Sequence, residues 1–291
     1  MERCIVNQRI KPFIVFSLLL LTVHFAVAQD KQDEKALIDL HAPQSALDRK
    51  PVLIAHRGGV ITDKTPECSI AAIQLAKKQG YQMIELDIMA SKDGIPIVFH
   101  DSKMKKACGV DSRITDLTAD EIVKIHYLNT DQRICTLDQA LAKCRSLNLG
   151  IMLDVKAKRE EKFFKKIVAL IRKHDLDRAT VALGGDMKLR EYLKDISLLT
   201  VTSDEFKKVQ EGKPVDLKKR FWFGLPHRLP SEMVKPLQKN GAYVFPAINT
   251  FRYPAEKHIE LARKDIERLS KAGVDGFQID SVYKPLFDAG K

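Results

Sequence analysis

The chain is short of long apolar runs. Past residue 28 no stretch is apolar enough to cross a bilayer as a helix, which excludes a helical membrane protein for the body of the sequence. It also lacks an internal repeat and any low-complexity block, so solenoids and compositionally biased tracts are excluded. Cysteine is scarce: beyond Cys4 there are only Cys68, Cys108, Cys135 and Cys144, and their spacing fits no zinc motif. An even number permits disulfides in an oxidising compartment. Buried thiols are the other reading, since a domain of this length needs no staples. There is no acidic excess either. The 49 Lys and Arg exceed the 38 Asp and Glu, for a formal charge of +11. A basic chain can meet anionic substrates or lipid surfaces. Here, however, the charge is spread out, and faces such as Lys162, Lys165 and Lys166 read as solvated helix surface. No recognition motif accompanies them, so nucleic acid is not an expected partner.

What is present begins with a leader. Arg3, Arg9 and Lys11 precede an apolar run from Phe13 to Val23, and Ala26-Val27-Ala28 forms a small-x-small cleavage site. That is the layout of a signal peptide over residues 1–28, and it predicts an exported protein, periplasmic or secreted. The run is well below the ~20 residues of a membrane span, so no stable membrane insertion is expected after cleavage. Cys4 precedes the run and is misplaced for lipoprotein attachment. Cleavage would leave 263 residues with a charge of +9. Residues 29–50 are polar and aperiodic, and read as a linker or a loosely docked arm. Residues 51–291 read as one folded domain.

From Pro51 onward strand-like and helix-like patterns alternate. Candidate strands are Val52–His56, Met83–Asp87, Ile151–Lys156, Thr180–Leu183, Leu198–Val201, Phe221–Leu225, Tyr243–Ile248 and Gly276–Asp280. Helix signals lie between them. Thr65 with Pro66 reads as a cap and first position, closed by Gly80. Thr118–Glu121 and Thr136–Gln139 fit capping boxes. Leu137, Leu141, Cys144 and Leu147 share one face, as do Phe163, Phe164, Ile167 and Ile171, and later Ile259, Ala262, Ile266 and Leu269. Eight strand-plus-helix units favour an α/β fold of TIM (β/α)8 type over an open sheet. The alternation breaks once. Only twelve residues separate Asp87 from His100, too few for a crossover helix. Lys92-Asp93-Gly94 supplies a turn, so a β-hairpin is expected after strand 2. A small insertion, about 101–135, follows before strand 3, with a short helix near Ala119–His126.

The reactive residues concentrate at the ends of these strands. Glu85 and Asp87 alternate on one strand and so share a face. Two carboxylates there would bind a hard cation through oxygen, or would simply be an acidic strand end. Asp154 and Lys156 repeat the spacing on the third barrel strand. They could complete a metal site and hold a phosphate oxygen, or form an ion pair between barrel layers. His56 can move a proton near neutral pH, and Arg57 can grip a phosphate bidentately. Gly58 and Gly59 allow close backbone approach. His100 offers a second proton-transfer group. His41, His126, His174 and His258 lack comparable context, whereas His227 with Arg228 could line the same rim.

H-R-G at His56, P-E at Pro66, E-L-D at Glu85, S-K-D-G at Ser91 and H-D at His100, in this order and spacing, resemble the glycerophosphodiester phosphodiesterase family. Asp154-x-Lys156, the strand ending in Asn249 and G-V-D-G-F-Q-I-D (Gly273 to Asp280) extend the resemblance over about Val52 to Asp280. It implies a TIM barrel holding one divalent cation, Mg2+ or Ca2+. By resemblance Glu85, Asp87 and Asp154 are metal ligands, and His56 and His100 are the general acid and base. Arg57 and Lys156 are phosphate contacts, with Glu67 a supporting polar group. Two departures stand out. Cys68 replaces the family's usual asparagine, and Asp154 is one methylene shorter than its usual glutamate.

The reaction implied is hydrolysis of a small-molecule glycerophosphodiester to glycerol 3-phosphate and an alcohol. In the family this is thought to begin with attack by a glycerol hydroxyl, giving a cyclic phosphate that water opens. Two other readings compete. One is a phospholipase-like phosphodiesterase acting on intact or lyso-phospholipid, which should expose an apolar rim. The mostly polar segment Ser102–Arg133 speaks against that reading. The other is a non-catalytic binder of phosphorylated polyols, supported only by Cys68 and Asp154. Nothing in the sequence sets the oligomeric state or the head group.

Overall fold

The computed structural model describes residues 36–42, 51–156, 160–184 and 187–288, together with Met1. The expected leader beyond Met1, and the parts 29–35 and 43–50 of the expected arm, lie outside the described residues. The described residues from 36 onward fall within one unit, Lys35–Lys291.

Eight parallel strands close a barrel: β1 Val52–Ala55, β2 Met83–Ala90, β5 Gly150–Val155, β6 Thr180–Ala182, β7 Leu198–Thr200, β8 Arg220–Gly224, β9 Tyr243–Ile248 and β10 Gly276–Ile279. Each neighbours the next in this order, and β1 pairs with both β2 and β10, so no parallel edge is left open. The short strands β3 (Pro96–Val98) and β4 (Cys135–Thr136) are added outside the ring. All eight expected strands are present, with ends differing by a few residues. The expected hairpin is also present: β3 runs antiparallel to β2, pairing Ile88 with Val98, and Gly94 takes φ +68 in the turn.

Period-two alternation sends different chemistry to the two ends of the barrel. Near the strand starts Ile54, Met83, Met152, Val181, Leu198, Phe221, Tyr243 and Phe245 form an apolar interior cluster. Two residues further along the same faces stand His56, Glu85, Asp154, Phe223 and Ala247, and these line a cavity. Leu40, 2% exposed, packs into the apolar cluster, and its N–H donates to the Arg178 carbonyl at 2.8 Å. Asp39 pairs with Arg178 at 2.7 Å, and the Tyr243 hydroxyl donates to the Ala42 carbonyl. The segment 36–42 therefore lies across the strand-start end. Burial of a leucine side chain is worth about 1.5–3 kcal/mol.

Ten α-helices are present among the described residues: α1 Ile70–Lys78, α2 Lys105–Cys108, α3 Ala119–Ile122, α4 Leu137–Ser146, α5 Glu161–Lys173, α6 Met187–Leu193, α7 Ser203–Gln210, α8 Val234–Lys239, α9 His258–Ala272 and α10 Pro285–Asp288. Thr118 and Thr136 close their capping boxes as the sequence predicts. In α5 all four expected apolar residues are buried. Three details differ. The first helix begins at Ile70 with Ser69 as its cap, not at Thr65–Pro66. Thr65 instead bridges to Thr62 and donates its hydroxyl to the Val60 carbonyl, which holds the segment as a turn. The insertion helix stops at Ile122, after which His126 bridges back to Arg133. Ile259 in α9 is 38% exposed and not part of the core stripe. Cys68, Cys108, Cys135 and Cys144 are all free and buried.

Candidate active site

A cavity of about 360 Å³ opens at the C-terminal ends of the barrel strands, where His56, Arg57, Glu85, Asp87, Asp154 and Lys156 meet. The hairpin brings His100 to the same cavity, because the Phe99 N–H donates to the Asp87 carbonyl at 3.0 Å. Arg228 lines it as the sequence allows, while His227 does not.

The carboxylates arise from register. Asp87 on β2 lies directly beside Asp154 on β5, and Glu85 precedes Asp87 on the same face. Ligand oxygens of all three lie within 4.8 Å of one another. Glu85 and Asp87 are each 1% exposed. Burial, then repulsion from Asp87, pushes the Glu85 carboxyl well above the usual range, against the Arg57 N–H, which donates to Glu85 Oε2 at 2.7 Å. Lys156 places its ammonium 3.0 Å from Asp87 Oδ1 and 3.1 Å from Asp154 Oδ2. Burial disfavours its charge, but the two carboxylates outweigh that and raise its pKa. One ammonium against three converging carboxylates leaves negative charge over, and an all-oxygen donor set suits a hard divalent cation. The donor set therefore fits a metal.

The His-Arg-Gly turn holds the other half. Arg57 adopts φ +52, and Gly58 and Gly59 adopt φ +80 and +139. A Cβ on Gly58 would lie 2.6 Å from the Cys68 backbone, and one on Gly59 2.2 Å from the Ala72 carbonyl. The two glycines thus let the turn pack against the start of α1. Cys68 takes φ +61 and donates its N–H to the Arg57 carbonyl. Its Sγ lies 3.9 Å from Asp87 Oδ2. Burial, then Asp87, pushes this thiol well up, so it stays neutral. Glu67 is not part of the cavity wall. It accepts from Arg57 Nη1 at 2.9 Å and so steers the guanidinium from behind.

Each histidine is anchored by an aspartate. His56 Nδ1 is 2.5 Å from Asp280 Oδ1, and His100 Nδ1 is 2.7 Å from Asp101 Oδ1. A ring that donates from Nδ1 carries its free lone pair on Nε2. Asp280 is further fixed by the N–H and hydroxyl of Thr250, at 2.6 and 2.8 Å. Burial alone would raise the Asp280 carboxyl, but His56 and Thr250 hold it below the usual range. Asn249 is within 3.2 Å of His56 Nδ1 and donates to Gln278. Asp280, Asp101, Phe251 and Arg252 were not among the sequence candidates. Asp280 ends the segment G-V-D-G-F-Q-I-D that extends the resemblance, and it alternates with Gln278 at the last strand end. Glu67, His100 and Asp101 also cluster, but Glu67 is engaged by Arg57 and His100 by Asp101.

Known proteins resemble this chain in sequence and in fold. The chain is 25% identical over 246 residues to a glycerophosphodiester phosphodiesterase of Caldanaerobacter subterraneus, covering 79% of this chain and 94% of that one. It is 40% identical over 111 residues to the human glycerophosphodiester phosphodiesterase 1, covering 35% of this chain. The match spans only 33% of that human protein's length. Among solved structures, a glycerophosphoryl diester phosphodiesterase from Parabacteroides distasonis superposes with a TM-score of 0.66 at 17% identity, covering 88% of this chain and 93% of that one. A phosphodiesterase from Oleispira antarctica, solved with the product sn-glycerol-3-phosphate, gives 0.63 at 18%, covering 82% and 97%. At these identities the structural likeness shows the TIM barrel fold alone. Residues 56–284, from the anchored His56 to the last strand's loop, match the glycerophosphoryl diester phosphodiesterase family, and the chain belongs to it.

Proposed function

We propose that this protein is a metal-dependent phosphodiester hydrolase that cleaves glycerophosphodiesters to glycerol 3-phosphate and an alcohol by histidine acid-base catalysis. One observation carries the reading: two aspartate-anchored histidines face a single cavity with three carboxylates, Arg57 and Lys156. The product complex of the Oleispira protein supports it.

Glu85, Asp87 and Asp154 would hold the cation, Mg2+ or Ca2+. When bound, it polarises phosphate oxygen and eases deprotonation of a hydroxyl. Arg57, aimed by Glu67, binds a phosphate oxygen, and Lys156 adds a point charge. One histidine takes the proton of the attacking hydroxyl at Nε2. The other gives its Nε2 proton to the departing alkoxide as the P–O bond breaks. Asp280 and Asp101 keep both rings in the orientation this exchange needs. The leader pattern supports processing at residue 28 and an exported enzyme.

A panel of glycerophosphodiesters assayed with and without chelator, each metal being restored separately, tests the reaction. His56→Ala and His100→Ala should each lower kcat by roughly 10²–10⁴-fold with fold and metal binding kept. Full activity in either variant excludes this mechanism.

A further inference from the structure

Three large apolar side chains stand exposed around the cavity mouth. Ile61 is 43% exposed, Phe251 60% and Val282 46%. They sit on the loops following β1, β9 and β10, which are neighbouring strands. Hydrogen bonds tie these loops together. The Ile61 N–H donates to Ser281 Oγ at 3.4 Å, and Val282 is the next residue. Thr250, which precedes Phe251, holds Asp280, which precedes Ser281. The Phe251 ring centroid lies 6.4 Å from that of His56. Single exposed apolar residues are ordinary, but a contiguous set at a site entrance marks an interaction surface.

The same loops are basic. The Arg252 guanidinium covers the Phe251 ring at 4.2 Å. Lys64, Arg252 and Lys257, joined by Arg228 from the connection after β8, outnumber Asp63, Glu256 and Glu232 on the same connections, and all seven are exposed. Apolar tips among cations match an anionic lipid surface: the tips enter the headgroup boundary and the cations meet lipid phosphates. The formal charge of +9 on the chain from Gln29 adds long-range attraction to such a surface. Cations beside the aromatic ring also make the mouth a poor seat for a cationic partner.

We propose that this rim docks peripherally on an anionic bilayer, setting the cavity mouth against the headgroup layer so that membrane-borne phosphodiesters reach His56 and His100. The purpose assigned here rests on the phosphodiesterase reading, but the docking itself does not.

Co-sedimentation with vesicles tests it, using the chain from Gln29, which keeps the unit Lys35–Lys291 whole. Wild type should bind phosphatidylglycerol-rich vesicles, bind phosphatidylcholine vesicles weakly, and release at high salt. The Ile61→Ser, Val282→Ser double variant should lose about tenfold in partitioning. Its turnover of soluble glycerophosphodiester should be unchanged, because neither residue lines the cavity. Ile61→Trp should bind several-fold more tightly. No binding by wild type, equal binding by the serine variant, or no gain from tryptophan overturns the proposal. Vesicle binding without turnover of any phosphodiester would count against the catalytic reading and leave docking standing.

Discussion

The ammonium of Lys156 lies 3.0 Å from the carboxylate of Asp87, a side chain only 2% exposed. It also reaches Asp154, so one lysine ties β2 to β5 at the depth where the cation would bind. In the ion-free protein this contact offsets part of the repulsion among Glu85, Asp87 and Asp154.

Lys156→Met should therefore destabilise the ion-free protein by about 1–3 kcal/mol. Breaking a fully buried pair costs more, but Lys156 is 31% exposed and partly screened. Added Mg2+ or Ca2+ at about a hundred times its Kd should raise stability by roughly 2.7 kcal/mol in wild type. The variant should depend more on the ion. Thermal denaturation with and without chelator measures both, and a variant as stable as wild type in chelator would refute the account.

Asp280 acts through His56, so it is a positioning residue. Asp280→Asn should lower kcat by roughly 10- to 100-fold, with KM little changed and Asp280→Glu restoring part of the loss. Asp101→Asn should cost less, since Asp101 is 40% exposed against 19% for Asp280. Steady-state kinetics on one soluble substrate separate these effects. An equal fall in all variants accompanied by a lower Tm would indicate a folding role instead.

Cys68 pays a conformational penalty that asparagine would reduce. A non-glycine residue at φ +61 is strained, and asparagine tolerates that region better than most. Its amide could also donate to Asp87 Oδ2, where the thiol stands at 3.9 Å. Cys68→Asn should raise stability by about 1 kcal/mol and retain activity. A lower midpoint in urea would show that burying the amide outweighs the backbone gain.

Glu205 predicts part of the acid limit of stability. Burial would raise its carboxyl, but the Thr202 N–H and the Arg220 guanidinium, at 2.7 and 3.0 Å, hold it below the usual range. A depressed carboxylate stabilises the fold above its unfolded pKa of about 4.3 and loses that contribution as pH falls through the lower folded value. Glu205→Gln should cost about 1 kcal/mol at pH 7 and converge with wild type in strong acid. Parallel stability curves down to that range would contradict this.

Much of the fold was legible because its signals are local. Strand alternation acts from one residue to the next but one, and the boxes at Thr118 and Thr136 close within three residues. Eight strands and the hairpin follow from such signals, and so does the placing of His56, Glu85, Asp87 and Asp154 at or near strand ends. Thr65-Pro66 misled for the same reason, since a cap and a turn look alike locally. Against a cap stand the bridge of Thr65 to Thr62 and the bond of its hydroxyl to the Val60 carbonyl, while Ser69 caps the helix.

By itself the sequence determined which side chains alternate onto the inner face of each strand, and hence that the reactive ones gather at the strand ends. Only the tertiary structure decided which of them touch. Asp280 meets His56 across 224 residues, Lys156 joins Asp87 to Asp154, and the Ile61 N–H reaches Ser281. The link from His56 to Asp280, like that from Ile61 to the Ser281–Val282 loop, requires β1 to pair with β10. The lysine contact requires β2 to pair with β5 in a particular register, and no local pattern encodes the closing of a ring.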